Sequence, residues 1–119
     1  MGDTKDSLIA NKTYSFVLEV IRTTKFLEKS YENIVVIKQV VRSVASVGAN
    51  IEEALGSNSR KEFIHSMNIA KKEARATIYW LRLLSDLNPK LKAKFEVLLN
   101  ENEQIIRILT KIVKTSSKT

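Results

Sequence analysis

Apolar residues recur along this chain at steps of three and four, the spacing that keeps side chains on one face of an α-helix. The first run, Tyr14, Val17, Val20, Ile21, Thr24 and Leu27, fades near Ser30-Tyr31-Glu32-Asn33 and predicts a helix over about 8–29. The second carries Ile37, Val40, Val41, Val44, Gly48, Ile51 and Leu55 on one side, over about 34–55. Its many β-branched residues suit a strand, but their spacing fits 3.6 residues per turn better than 2. Gly56 then suits a helix C-cap, and Ser59-Arg60-Lys61-Glu62 has the form of a capping box that opens the next helix. The third run meets no stop signal until Asn88-Pro89, where Asn can cap and Pro can take the first helical position of a fourth. It spans about 60–87. The fourth, over about 89–114, repeats Leu91, Phe95, Leu98, Asn102, Ile105, Leu109 and Ile112 before fraying into Lys114-Thr-Ser-Ser-Lys-Thr. Short connections imply antiparallel neighbours, so the pattern predicts an all-α, up-down-up-down four-helix bundle.

Two features exceed what such a bundle needs. On the third helix, Phe63, Met67, Ala70, Ala74, Ile78 and Leu81 form a core face. Ile69, Ala76, Trp80, Leu83 and Leu87 form a second stripe rotated from it, with Lys71, Arg75 and Arg82 on a third side. Neighbouring helices could cover both stripes, or the Trp80 stripe could serve self-association, since large apolar patches on soluble proteins mark interfaces. On the second helix Arg42, Ser46, Asn50 and Glu53 make a polar line opposite the core side. A solvated face explains it. So does a hydrogen-bonded network at a subunit contact, with Ala49 and Gly48 allowing close approach and Glu73 able to join.

The length of 119 residues fits one domain, and one proline, three glycines and 44% apolar residues exclude disorder. Without cysteine there is neither a disulfide nor a thiolate zinc site. MGDTKDSLIANKTYS has no basic stretch leading into an apolar one, and no apolar run approaches the roughly 18 residues of a membrane span. A cytoplasmic, membrane-free protein is expected. Asp6 also stands where N-myristoylation wants Ser or Thr. The net charge of +7 is uneven: +1 over residues 1–30, −1 over 31–56, +3 over 57–88 and +4 over 89–119. That balance favours polyanionic partners.

The segments Val41-Arg42-Ser43, SVGANIEEA (46–54), SRKEFIHSMNIAKKEAR (59–75) and YWLRLL (79–84) together resemble one group. These are the bacterial four-helix-bundle proteins related to those encoded within intervening sequences of large-subunit ribosomal RNA genes. The accessory proteins of diversity-generating retroelements, similar basic assemblies that bind nucleic acid and a reverse transcriptase, use the same bundle. The resemblance implies a ring-like homopentamer of antiparallel bundles. It places Arg42, Asn50, Glu53, Arg60, Glu62, Phe63 and Glu73 on the group's recurrent motif. Glu52 and Ala54 depart from the commoner Ile-Ala-Glu-Gly pattern, which sets this chain nearer another sub-branch.

Catalytic chemistry finds little support. Glu62-Phe63-Ile64-His65 matches one Glu-x-x-His step of a di-metal bundle, but His65 is the chain's one histidine and that site needs two. Glu62 reads as the capping residue and His65 as surface or interface. Glu52 and Glu53 diverge by about 100° around a helix, and there is neither a Gly-rich phosphate loop nor a nucleophile beside a base. No enzyme, metal or cofactor is expected. Candidate nucleic-acid contacts are Lys71, Arg75 and Arg82 with Lys90, Lys92, Lys94, Arg107, Lys111 and Lys114. Being mostly lysines, they would read backbone and shape rather than sequence. The competing expectation is an adaptor whose oligomer docks a protein partner.

Overall fold

The computed structural model describes residues 5–118, with side chains from Leu8 onward. It holds α1 (Lys5–Thr24), α2 (Tyr31–Leu55), α3 (Arg60–Leu87) and α4 (Lys92–Ser117), with a 3₁₀ turn, Pro89–Leu91, leading into α4. The opening Met-Gly-Asp lies outside the described residues. Each helix packs on the next and α4 closes on α1, while the diagonal pairs do not meet among the described residues. The helices therefore stand at the corners of a square in chain order, an antiparallel bundle 48 × 21 × 20 Å. Its core stacks Val40, Val44 and Ile51 of α2 on Met67, Ala74 and Leu81 of α3, closed by Phe95, Leu98, Ile105 and Leu109 of α4 and by Phe16 and Val20 of α1. Each such large side chain contributes about 1.5–3 kcal/mol by leaving water.

The first helix departs most from its predicted pattern. Tyr14 is 64% exposed, while Ile9 and Phe16, absent from the expected face, are buried. Val20, Thr24 and Leu27 are buried as expected, and Val17 and Ile21 lie half-buried at the edge. Apolar residues surround this helix on several sides, so spacing alone offers two frames, and packing selects the one that buries Phe16. The helix also stops at Thr24 rather than near residue 29. Thr23 and Thr24 donate their hydroxyls to the carbonyls of Glu19 (2.7 Å) and Ile21 (2.6 Å), and Lys25, Phe26 and Leu27 each donate an amide three residues back. That tightening ends the α-helical ladder. Ser30 then caps α2, its Oγ accepting from the Asn33 amide at 3.2 Å, so α2 starts at Tyr31 rather than near 34.

The α2–α3 turn follows the expected chemistry with one change of partner. Ser59 Oγ accepts from the Glu62 amide at 3.1 Å, but the Glu62 carboxylate accepts from Asn58 N, at 3.1 Å, rather than from Ser59 N. Gly56 occupies the C-cap at φ −93°, a conformation open to any residue. Gly48 faces α1, not the polar line, and a Cβ there would meet Val17 Cγ2 at 3.5 Å and Thr13 Cγ2 at 3.9 Å, ordinary contacts. Close approach within the bundle therefore does not require it.

Asn88 does not cap the fourth helix. Its side chain instead forms a reciprocal amide pair with buried Asn33: Asn33 Nδ2 donates to Asn88 Oδ1 at 3.0 Å and Asn88 Nδ2 to Asn33 Oδ1 at 2.8 Å. The same nitrogens donate to the carbonyls of Glu28 and Leu84, each at 2.9 Å. One end of the bundle is thus stitched across both of its connections. Deeper in, Ser43 and Thr77 hydroxyls meet at 2.9 Å between α2 and α3, and Asn102 Nδ2 donates to the Ala74 carbonyl at 3.1 Å between α4 and α3. Between α1 and α4, Lys12 donates to Gln104 at 3.1 Å and Lys94 to Glu19 at 2.8 Å. The last bond and the Lys94 charge hold the Glu19 carboxyl below its ordinary range. The C-terminal helix continues to Ser117 instead of fraying after Lys114. By length and composition α2 is apolar enough to cross a membrane, with mean hydropathy 1.4 over an 18-residue window, which corrects the expectation that no stretch is. Here its apolar side is the bundle core.

Replacing Asn33 by Ala should lower stability by about 2 kcal/mol, because buried acceptors lose their donor, and the N33A/N88A pair should cost less than the two single changes summed. Urea midpoints check this. Gly48→Ala should raise stability by about 0.5–1 kcal/mol through helix propensity; a fall would mean α1 packs closer than described. With its folded pKa depressed, Glu19 stabilises the fold above the ordinary glutamate range and loses that contribution as pH falls through the lowered value. Lys94→Gln should return the Glu19 titration, followed by carboxyl NMR, to the ordinary range.

Candidate nucleic-acid interface and assembly face

Antiparallel pairing of α3 and α4 changes the meaning of the basic residues. Over residues 60–75, Arg60, Lys61, Lys71, Lys72 and Arg75 against Glu62 and Glu73 leave +3; residues 104–118 contain Arg107, Lys111, Lys114 and Lys118 and no acidic residue, which leaves +4. The Asn102–Ala74 bond sets these two segments side by side, at the end away from the Asn33–Asn88 pair. The remainder of this helix pair, residues 76–103, is balanced: Arg82, Lys90, Lys92 and Lys94 against Asp86, Glu96, Glu101 and Glu103. Along this helix pair, positive charge is therefore polarised.

The candidate contacts divide accordingly. Lys71, Arg75, Arg107, Lys111 and Lys114 gather at the basic end, whereas Arg82, Lys90, Lys92 and Lys94 sit in the balanced half. Lys94 is engaged by Glu19 at 2.8 Å and Lys92 by Glu96 at 3.8 Å. Among the described residues, Arg107, Lys111 and Lys114 have no carboxylate within 4 Å. Arg60, which the family resemblance places on the motif but not among the basic contacts, belongs to the same end, as do Lys61, Lys72 and Lys118. All four are exposed. Placing them required knowing which stretches of α3 and α4 are level, although the absence of any acidic residue after Glu103 was a readable signal.

The second stripe of α3 and the polar line of α2 meet on one side of the square. Ile69, Ala76, Trp80 and Leu83 are half-buried, and Leu87 is 43% exposed. Trp80 and Leu83 lean on the core from its rim, so the bundle covers this stripe only in part. Trp80 stacks edge-to-face with Tyr79 at 5.0 Å, and its Nε1 is buried with no acceptor. On α2, Asn50 turns its amide back onto Ser46, donating to the carbonyl at 2.9 Å and to Oγ at 3.1 Å. Arg42 reaches Glu73 on α3 at 3.4 Å, so Glu73 does join the line, while Glu53 stays exposed. The partly exposed Arg42–Glu73 pair is worth little energetically.

Glu62 works as a capping residue and His65 is exposed, pointing away from the core, and Glu52 and Glu53 are both exposed without a shared partner. Among the described residues, no three His, Asp or Glu side chains converge.

No curated protein matches this chain. A protein of unknown function from the S23 ribosomal protein family of Bacteroides thetaiotaomicron, solved by crystallography, is 37% identical. The superposition covers 93% of this chain and 99% of that one, with a TM-score of 0.85. The family described as 23S rRNA-intervening sequence protein matches residues 5–111, nearly the full length of the bundle. On that match, this chain belongs to the 23S rRNA intervening sequence protein family.

Proposed function

We propose that this chain is a non-enzymatic module that assembles with copies of itself and binds structured RNA or other nucleic acid by its phosphate backbone, through the basic end of α3 and α4. The observation that carries this reading is the superposition of the +3 and +4 segments at one end of the bundle. A local field of that kind attracts polyanions and releases their counterions on contact. Assembly multiplies the effect: five copies, the ring size implied by the family resemblance, would carry about +35. Lysine and arginine on an exposed helical surface, with no reading motif among them, contact phosphate rather than base edges. Specificity would then come from shape.

A second reading has its own support. Phe26 and Tyr31, in and just after the α1–α2 connection, are 79% and 82% exposed. Apolar surface of this kind suits a protein partner, and the oligomer would then act as an adaptor.

Binding of a structured RNA, followed by fluorescence anisotropy across a salt series with particle mass from light scattering, separates these readings. Log affinity should fall linearly with log salt. The R75E/R107E/K114E variant should lose at least tenfold in affinity while keeping its mass, and K90E should stay close to the parent. An intact oligomer that fails to bind at low salt would reject the nucleic-acid reading and favour the adaptor.

A further inference from the structure

At the basic end of the bundle, the start of α1 and the end of α4 leave a groove of about 410 Å³. Its walls are the aliphatic side chains of Leu8, Ile9, Ile108 and Ile112, with Lys12 and Lys111 among them. Helical spacing explains the arrangement. Ile108, Ile112 and Ser116 follow at steps of four on α4, Lys111 and Thr115 run beside them, and Leu8 and Lys12 are four apart on α1. The bond from Lys12 to Gln104 at 3.1 Å sets the two helix ends against each other.

The lining selects the chemistry of what fits. It includes no aromatic ring on which a base would stack and no amide or carboxylate that would read a base edge, so a nucleobase gains little there. An alkyl chain, in contrast, gains with each methylene it withdraws from water. The charge beside the groove asks for an anion. Lys111 is exposed, with no carboxylate within 4 Å among the described residues, and Lys12 spends one of its three N–H groups on Gln104 and keeps the others. From Ile108 to Ser116 the groove runs eight residues along α4, roughly 12 Å at about 1.5 Å per residue. An extended chain of about ten carbons, with bonds of ~1.5 Å, spans that length.

We infer that this groove binds a free medium-chain fatty carboxylate, its tail along the four aliphatic residues and its head between Lys12 and Lys111. The volume falls within the ~300–1,000 Å³ of small-molecule sites. A carboxylate placed between two ammonium groups accepts charge-assisted hydrogen bonds from both. Leu8, 68% exposed, forms the outer lip and lies over the tail. The surrounding positive charge draws in an anionic amphiphile and repels a cationic one with the same tail. Nucleic-acid binding is not required for this, although Lys111 is common to both readings.

The test titrates the full chain, methyl-labelled at Ile and Leu, with sodium decanoate below its micelle concentration, following methyl NMR and particle mass. Saturable shifts should centre on Leu8, Ile9, Ile108 and Ile112, and decyltrimethylammonium should produce none. Leu8→Glu, at an exposed position, and Lys111→Gln should each weaken decanoate binding about tenfold. The absence of shifts at these methyls overturns the inference, as does undiminished binding by both variants or equal binding of the cationic amphiphile. Binding to phosphatidylglycerol vesicles without any response to monomeric decanoate would assign the groove to a membrane surface instead. Methyl shifts that follow particle mass on dilution, with none on adding decanoate, would make a second copy the occupant. Either result overturns the inference.

Discussion

The register of the whole bundle hangs on the reciprocal amide pair between Asn33 and Asn88. Apolar packing is tolerant of sliding, since one valine fits against a helix much as the next does. A buried pair of amides is not tolerant, because a slip of one residue would leave several donors and acceptors without partners in a poorly hydrated place. The pair fixes where α2 begins against where α3 ends, and through the Glu28 and Leu84 carbonyls it fixes both connections as well. Ser43 with Thr77, and Asn102 with Ala74, repeat the device further along. The relative heights of residues on neighbouring helices follow from these few polar contacts.

That device is also what the sequence conceals. The four helices, the exact span of α3 and the capping role of Ser59 follow from local periodicity and local hydrogen bonding, which a linear pattern records. Asn88 before Pro89 reads as a cap for the following helix because that is the commoner local use. Its actual partner lies far away in sequence, where no local rule reaches. The phase of α1 failed for a related reason. With apolar residues on several of its sides, only the shape of the space beside α2 and α4 decides that Phe16 goes in and Tyr14 stays out. Among the site residues, sign and rough location were legible, but their division into a basic end and a balanced half was not. That division is a property of the antiparallel fold and not of any single stretch.

Clustering like charges at one end costs stability through mutual repulsion, and a fold under no other constraint would disperse them. Elsewhere this chain does so: Lys94 is set against Glu19, Lys92 against Glu96 and Arg42 against Glu73. The same two helices therefore hold a paired half and a concentrated half.

Segregation of this kind gives the bundle an electric dipole along its 48 Å axis. In solution such a molecule experiences a torque in the field of a polyanion before any contact is made, and it arrives basic end first. Were copies to stand parallel, such dipoles would add, and their assembly would carry more positive charge on one side than on the other. Antiparallel neighbours would cancel the same charges into an object without a preferred side.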